Sequence, residues 1–465
     1  MKRLFLMIAM GAVLSSSVLT SCKKDKEDET PTDTTSTLYT EANGEVTVKD
    51  RGKGTGTKTW TADKVWVLDG LVFINEGQTL TIEAGTVIKG MPGEGVDASA
   101  LIVARGGKIM AEGTATNPIV FTGQGTLTNQ KGTWGGLIVL GKARLNTTPD
   151  VQQVEGIDTS EPRAEFGGND DHDDSGVIKY VSIRHSGSNI GADNEINGLT
   201  LGAVGDGTTI DYVEITYNKD DGIEFFGGTV NVKHALVAYC GDDSYDYDMG
   251  YRGKGQFWVS LQDGDSDRNG EHDGGTSPET AEPYATPTIY NATYIGHGTN
   301  RIATFRDNAG GYYYNSIFAE MGKGIDIERL NNDDGTLKES SYSRFNSGNG
   351  VLRIAGNIFS NVAGQTDASN PTKLINFATY QGKDQDGENI NIGMSASDST
   401  LIANYFSQAY NEVMNLNITV TNPTTTDQVT TPIVVPNDDF FDQAAYNGAF
   451  GATNWASGWT LTYQN

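Results

Sequence analysis

Between residues 60 and 364 the chain sets short, β-branched apolar runs between glycine, asparagine and aspartate, with almost no helical period. Val65-Trp-Val-Leu, Gly77-Gln-Thr-Leu-Thr-Ile, Leu101-Ile-Val-Ala and Pro118-Ile-Val-Phe-Thr read as strands bounded by turns. Ile178-Lys-Tyr-Val-Ser-Ile, Ile210-Asp-Tyr-Val-Glu-Ile, Val230-Asn-Val-Lys-His-Ala-Leu-Val and Ile289-Tyr-Asn-Ala-Thr-Tyr-Ile continue the series. Asp220-Asp-Gly-Ile-Glu-Phe returns 22 residues later as Asp242-Asp-Ser-Tyr-Asp-Tyr. A repeat of that size is one coil of a β-solenoid. The pattern predicts an all-β parallel β-helix over residues 55–395, one stack of about a dozen coils. A β-sandwich is the runner-up.

Several segments then become recognisable. Gly77-Gln-Thr-Leu-Thr-Ile-Glu-Ala-Gly-Thr-Val-Ile, the run from Gly106 to Thr122, and Trp134-Gly-Gly-Leu-Ile-Val look like the opening coils of right-handed β-helices. Asn194-Glu-Ile-Asn-Gly-Leu-Thr-Leu-Gly, the Asp220 motif and Gly241-Asp-Asp-Ser-Tyr-Asp-Tyr-Asp-Met-Gly resemble a Bacteroidota family of β-helix lipoproteins and secreted proteins. The resemblance covers residues 55–465 and implies the fold, not an activity. Residues 396–465 differ in texture and are expected to form a cap. It holds a short helix near Thr400, strands at residues 418–420 and 433–435, and an aromatic stretch from Asp438 to Trp459 that covers the last coil, since an open β-helix end is an exposed sheet edge.

The start of the chain bears on location. Residues 1–21 read as a secretory signal, with Lys2 and Arg3 ahead of an apolar run too short to span a bilayer. Leu19-Thr-Ser-Cys22 resembles a bacterial lipobox, which implies acylation of Cys22 by diacylglycerol and a further chain such as palmitate. Two chains or more anchor stably where one does not. Residues 22–54, acidic and then threonine-rich, read as a disordered tether. The acidic run behind Cys22 resembles the surface-export signal of Bacteroidota lipoproteins, so the expected location is the outer membrane, facing outward.

Charge narrows the partners. With 33 basic and 60 acidic side chains the net charge is −27, which argues against nucleic acid and anionic lipid. Two cysteines leave Cys240 without a partner once Cys22 is acylated, and its apolar surroundings predict a small core residue. The 58 glycines, well above the usual ~7%, fit a turn-rich chain.

Candidate chemistry is acidic. At a 22-residue register Asp220 stacks on Asp242, Asp221 on Asp243 and Glu224 on Asp246, at a strand spacing of about 4.8 Å. Asp220, Asp221, Asp242, Asp243, Asp246 and Asp248 are predicted to line one divalent-cation site. Oxygen-only ligands point to calcium, and Phe225, Tyr245 and Tyr247 are expected to exclude water. The alternative is that these aspartates cap turns. Asp263, Asp265, Asp267, Asn269 and Glu271 make a second candidate loop. It resembles an EF-hand in part, but Arg268 and Gly274 stand where that loop needs its glycine and its bidentate glutamate. Asn218-Lys-Asp220, Asp242-Asp243, Gly296-His297-Gly298 and Arg301-Ile302-Ala303 resemble, with departures at Lys219 and Ala303, the motif order of polygalacturonase-like enzymes, which use paired carboxylates. His185 and His234 are expected to be packed or paired, His172 and His272 solvated. The expected function is a binding or scaffold module for a glycan or envelope-protein partner, with exposed Tyr and Trp stacking on sugars. A glycoside hydrolase or polysaccharide lyase and a structural adhesin or spacer are the alternatives.

Overall fold

A computed structural model of the chain describes residues 37–191, 194–275, 278–346, 350–362, 378–379, 382–383, 389–390 and 433–463. The signal, Cys22, the expected helix near Thr400 and the expected strand at 418–420 lie outside these residues. Strands fall into three columns, and all pairings between coils are parallel. This is a parallel β-helix, and the sandwich is set aside. The third column is a ten-stranded sheet that runs from Leu71–Ile74 through Ile223–Phe226 and Tyr245–Asp248 to Lys323–Ile327 and Ala378–Thr379.

The first two columns merge in mid-stack. Gly176–Arg184, Thr209–Thr216, Asn231–Ala238 and Lys254–Leu261 each serve both, bending at Tyr180, Tyr212, His234 and Phe257 with φ of +49°, +54°, +49° and +60°. Side chains other than Gly and Asn avoid that region at a cost of order 1–3 kcal/mol. The corner offsets it by stacking: ring centroids are 4.4 Å apart for Tyr180–Tyr212, 4.1 Å for Tyr212–His234 and 4.9 Å for His234–Phe257. Each such pair contributes about 0.5–1.5 kcal/mol beyond its burial. Below them Asn291 and Asn315, which tolerate the conformation, take the same corner.

Alternate residues of each strand fill one continuous interior, for example Leu201, Phe225, Tyr247, His272, Phe305 and Ile327 in the third column. Cys240 belongs to this core, and burial pushes its thiol up to about 12. Two outer faces are also covered. Leu145, Val154, Ile157 and Phe166, from a long excursion, pack outside the third column on Ile102, Ile138, Leu140 and Phe226. Further along, the outer face of that column is left to polar side chains.

The ends depart from expectation in two ways. Leu38–Ala42 and Glu45–Lys49 form an antiparallel hairpin around Asn43-Gly44, and Glu45–Lys49 pairs in parallel with Val65–Leu68. The tether expected through residue 54 therefore gives way to structure from Leu38, which pairs the first edge of the second column. Secondly, residues 433–463, expected over the last coil, meet the coil of Leu352–Ala355 at its side, where Asn447 Nδ2 donates to the Gly356 carbonyl. They run back along the outside of the second column as an irregular strap, and Ile433–Val435, expected as a strand, is part of it. Asn315 Nδ2 donates to the Ile433 carbonyl at 2.7 Å, and Gln256 exchanges two 2.8 Å bonds with the Asp442 backbone. Buried Glu214 accepts from the Leu461 and Thr462 amides at 2.8 and 2.9 Å. The reason is apolar: Leu236, Ala238, Val259, Leu261 and Ile295 point outward and need Phe450, Ala456, Tyr446 and Trp455 over them.

Candidate functional site

Where the second column turns into the third, each coil contributes a polar residue two positions ahead of the strand's first inward side chain. Since Leu199 pairs with Ile223, Ile223 with Tyr245 and Tyr245 with Gly270, these residues form a ladder of Asn197, Asp221, Asp243 and Arg268. A second ladder points outward from the strands themselves: Thr200, Glu224, Asp246, Glu271, Thr304 and Asp326. The 22-residue register is thus the register of the structure, with Glu224 on Asp246.

Charge is compensated unevenly along the ladders. At their lower end Arg268 reaches Asp243, Asp267 and Glu271 at 3.1, 3.2 and 2.7 Å. Arg306 reaches Glu271 and Asp273 at 2.9 and 2.6 Å, and Arg301 reaches Asp326 at 3.2 Å. At the upper end Asp220, Asp221, Glu224 and Asp246 have no ion-pair partner among the described residues, and of the acids that gather there only Asp243 and Asp267 share Arg268. Carboxylate oxygens of Asp220, Asp221 and Asp242 lie within 4.8 Å of one another, as do those of Asp221, Glu224 and Asp246, and those of Asp242, Asp243 and Asp267. Two unit charges at that separation repel by about 3.5 kcal/mol at an effective dielectric of 20. Burial, then the charge of Asp242, pushes Asp220 up to about 7. Asp221, Glu224 and Asp246 go well above the carboxylate range, burial being the largest cause and neighbouring acids the next. Glu224 and Asp246 keep an exposed edge, yet Asp246 Oδ1 is closed from solvent without a hydrogen-bond partner. That enclosure matters more to the charge than the exposed edge does.

The six aspartates expected to share one site are divided. Asp220, Asp221 and Asp242 meet, with Asp242 exposed; Asp246 joins Asp221 and Glu224 instead. Asp243 turns to Arg268, and Asp248 accepts from the Met249 amide. Strand geometry explains Asp248: it faces the same way as Asp246 but two residues, about 7 Å, further on. Turn capping is also realised in part, because Asp221 accepts from the Asp243 amide at 2.9 Å and Asp243 from the Arg268 amide at 2.6 Å. Phe225, Tyr245 and Tyr247 do not shield the carboxylates; they point into the helix. Asn197, from the coil above, lies over Glu224 and donates to it.

The second loop does not converge. Asp263 accepts from the Asp265 amide in a tight turn, and Asn269 is buried against Gln262 and the Arg301 carbonyl. Glu271 belongs to the strand ladder, and Asp267 alone approaches the main cluster. The polygalacturonase-like set scatters too: Asp220 and Asp242 meet, but His297 is exposed beside Gly264 and Arg301 pairs with Asp326. His272, expected in solvent, is interior; its Nε2 meets the Tyr313 hydroxyl at 2.8 Å and burial drives it down to about 3. His185 bonds the Gln130 carbonyl, His234 pairs with Asp211, and His172 with Asp206. No described aromatic side chain is exposed, so the expected stacking platform for sugars is absent among the described residues. Sequence reasoning passed over Asn197, although Asn197-Gly-Leu aligns with Asp221-Gly-Ile at the ladder position.

Among curated proteins none matches the chain. The family described as pectate-lyase like beta helix domain matches residues 52–460, nearly the whole of the described fold. The chain therefore belongs to the pectate-lyase-like β-helix domain family.

Proposed function

We propose that the protein is an envelope lipoprotein, held in the outer membrane through Cys22 and facing outward, that binds a glycan through a calcium ion on the acidic turn. Asp220, Asp221 and Asp242 hold the ion, and sugar hydroxyl or carboxylate oxygens complete its shell. One observation carries the reading: three carboxylates, that of Asp242 exposed, gather with no ion pair to a lysine, arginine or histidine among the described residues, while Asp243, Glu271 and Asp326 on the neighbouring ladders are each met by arginine. That no aromatic ring is exposed among the described residues favours recognition through an ion and hydrogen bonds over stacking. Membership in a pectate-lyase-like family supports a polysaccharide-related role. The test is retention of the chain on immobilised polyuronide and neutral glycans. Retention is expected with calcium and lost on chelation or in Asp242→Asn; equal retention in all three conditions would overturn it.

A cleaving activity is the second reading. It is favoured by Asp220, whose proton is held to about pH 7 beside the exposed carboxylate of Asp242, as an acid and base pair requires. New reducing ends in the same incubations, lost in Asp220→Asn, would replace binding by cleavage.

A further inference from the structure

We infer that a second divalent cation, again of the calcium class, is caged by Asn197, Asp221, Glu224 and Asp246. The inference extends the surface-site reading, with which it shares Asp221, but it stands on separate observations. One carboxylate oxygen from each of Asp221, Glu224 and Asp246 lies within 4.8 Å of the other two. None of the three has a lysine, arginine or histidine partner among the described residues, whereas the next acids on the same ladders, Asp243 and Glu271, are both held by Arg268.

Clustered acids alone do not make a site. What points to a ligand is a pair of oxygens with nothing to bind. Asn197 is 7% exposed, its Nδ2 donates to Glu224, and its Oδ1 is buried with no hydrogen-bond partner. Asp246 Oδ1 is equally enclosed and equally alone. Asn197 stands one coil above Asp221 on the turn ladder, and Asp246 one coil below Glu224 on the strand ladder. One orphaned oxygen thus belongs to the triad itself, and the other sits on the amide that is bonded to its Glu224. Buried acceptors are served by water or an ion, and these two differ from others in the fold, such as Asn218 Oδ1 and Asn269 Oδ1, in lying on or against three carboxylates without an ion-pair partner among the described residues.

The donor set fits calcium. Three carboxylates, each binding through one or two oxygens, and one amide oxygen offer about four to seven ligands, all oxygen. No histidine or cysteine belongs to the group, which disfavours zinc and softer metals. Its members come from three successive coils. The ion would clamp those coils together and hold Asp221 in place for the surface ion beside it.

Counting bound calcium separates the two sites. In equilibrium dialysis of the full chain in detergent, the wild type is expected to bind two ions. Glu224→Gln and Asp242→Asn should each bind one, and Asp221→Asn none. Asn197→Leu, which keeps the branched shape but removes the oxygen along with the amide donor to Glu224, should weaken one of the two ions by at least tenfold. Strand-dominated circular dichroism checks that each variant is folded, and Asn197→Leu carries the test if Glu224→Gln is not. If Glu224→Gln and Asn197→Leu bind calcium as the wild type does, the buried cation is overturned. A wild type with one ion, lost in Asp242→Asn but kept in Glu224→Gln, overturns this inference and leaves the surface site. One ion lost in Glu224→Gln but kept in Asp242→Asn supports it and removes the surface site.

Discussion

Removing calcium should make the protein more stable in acid than at neutral pH, against the usual trend for a carboxylate-rich protein. In the unfolded chain an aspartate loses its proton near pH 3.9, but in the fold Asp220 keeps it to about 7 and Asp248 to about 6. Between those values the native state binds protons that the unfolded state does not. Stability from these groups is therefore highest below pH 4 and falls as pH rises through the folded values. At about 1.4 kcal/mol per pH unit, Asp220 alone penalises the metal-free fold by up to about 4 kcal/mol above pH 7. Asp221, Glu224 and Asp246 add in the same direction. His272 works the other way. It stays neutral in the fold to about 3, so acidification from pH 6.5 to 5 takes back roughly 2 kcal/mol. The carboxyls outweigh it. Thermal unfolding should be followed from pH 8 to 5 in calcium and in chelator, and the two curves subtracted, which cancels the histidine. The difference should be several degrees at pH 8 and shrink toward zero at pH 5, as protons replace the ion. A calcium effect that is flat with pH, or a chelated protein that loses stability from pH 8 to 6.5, would refute the electrostatic argument.

Two further outcomes follow from the ends of the chain. Cys22→Ser should leave an exported protein that no longer sediments with membranes after a high-salt wash; continued sedimentation would remove the lipid anchor. Phe450→Ala should cost about 3–4 kcal/mol, because this ring is buried in the strap's apolar contact with Leu236, Val259 and Ile295. It should also open residues 433–463 to limited proteolysis while the coils survive; resistance equal to the wild type would show that the strap is held by its hydrogen bonds alone.

The period of the fold was legible because paired aspartates recur at the coil length, and Asp220 and Asp242 come out one above the other. The strap's position also has a signal in the sequence. Ala235-Leu-Val-Ala is apolar on both faces, and a strand with an apolar outer face needs cover along its side. His272 misled because Asn269-Gly-Glu-His-Asp has the composition of a loop, yet strand alternation sends every second residue inward and His272 falls on the inward phase. The corner was not legible at all. Tyr180 and Tyr212 belong to a type that rarely takes positive φ, and stacking between coils, with Asp211 on His234 and the strap's Trp455 and Trp459 edge-on, supports the corner. As for the site, the residues were visible but their division was not. Which aspartate meets an arginine depends on Arg268 and Arg306, brought in by the next coils.

The central claim is that the upper ladder takes divalent cations, and anomalous diffraction from crystals grown with a lanthanide in place of calcium tests it most directly. The account predicts a strong peak among Asp220, Asp221 and Asp242 at about 2.3–2.6 Å from their oxygens, the range for calcium-type ligands. A map with no peak there, and with the carboxyls sharing protons across short hydrogen bonds to one another, would contradict it.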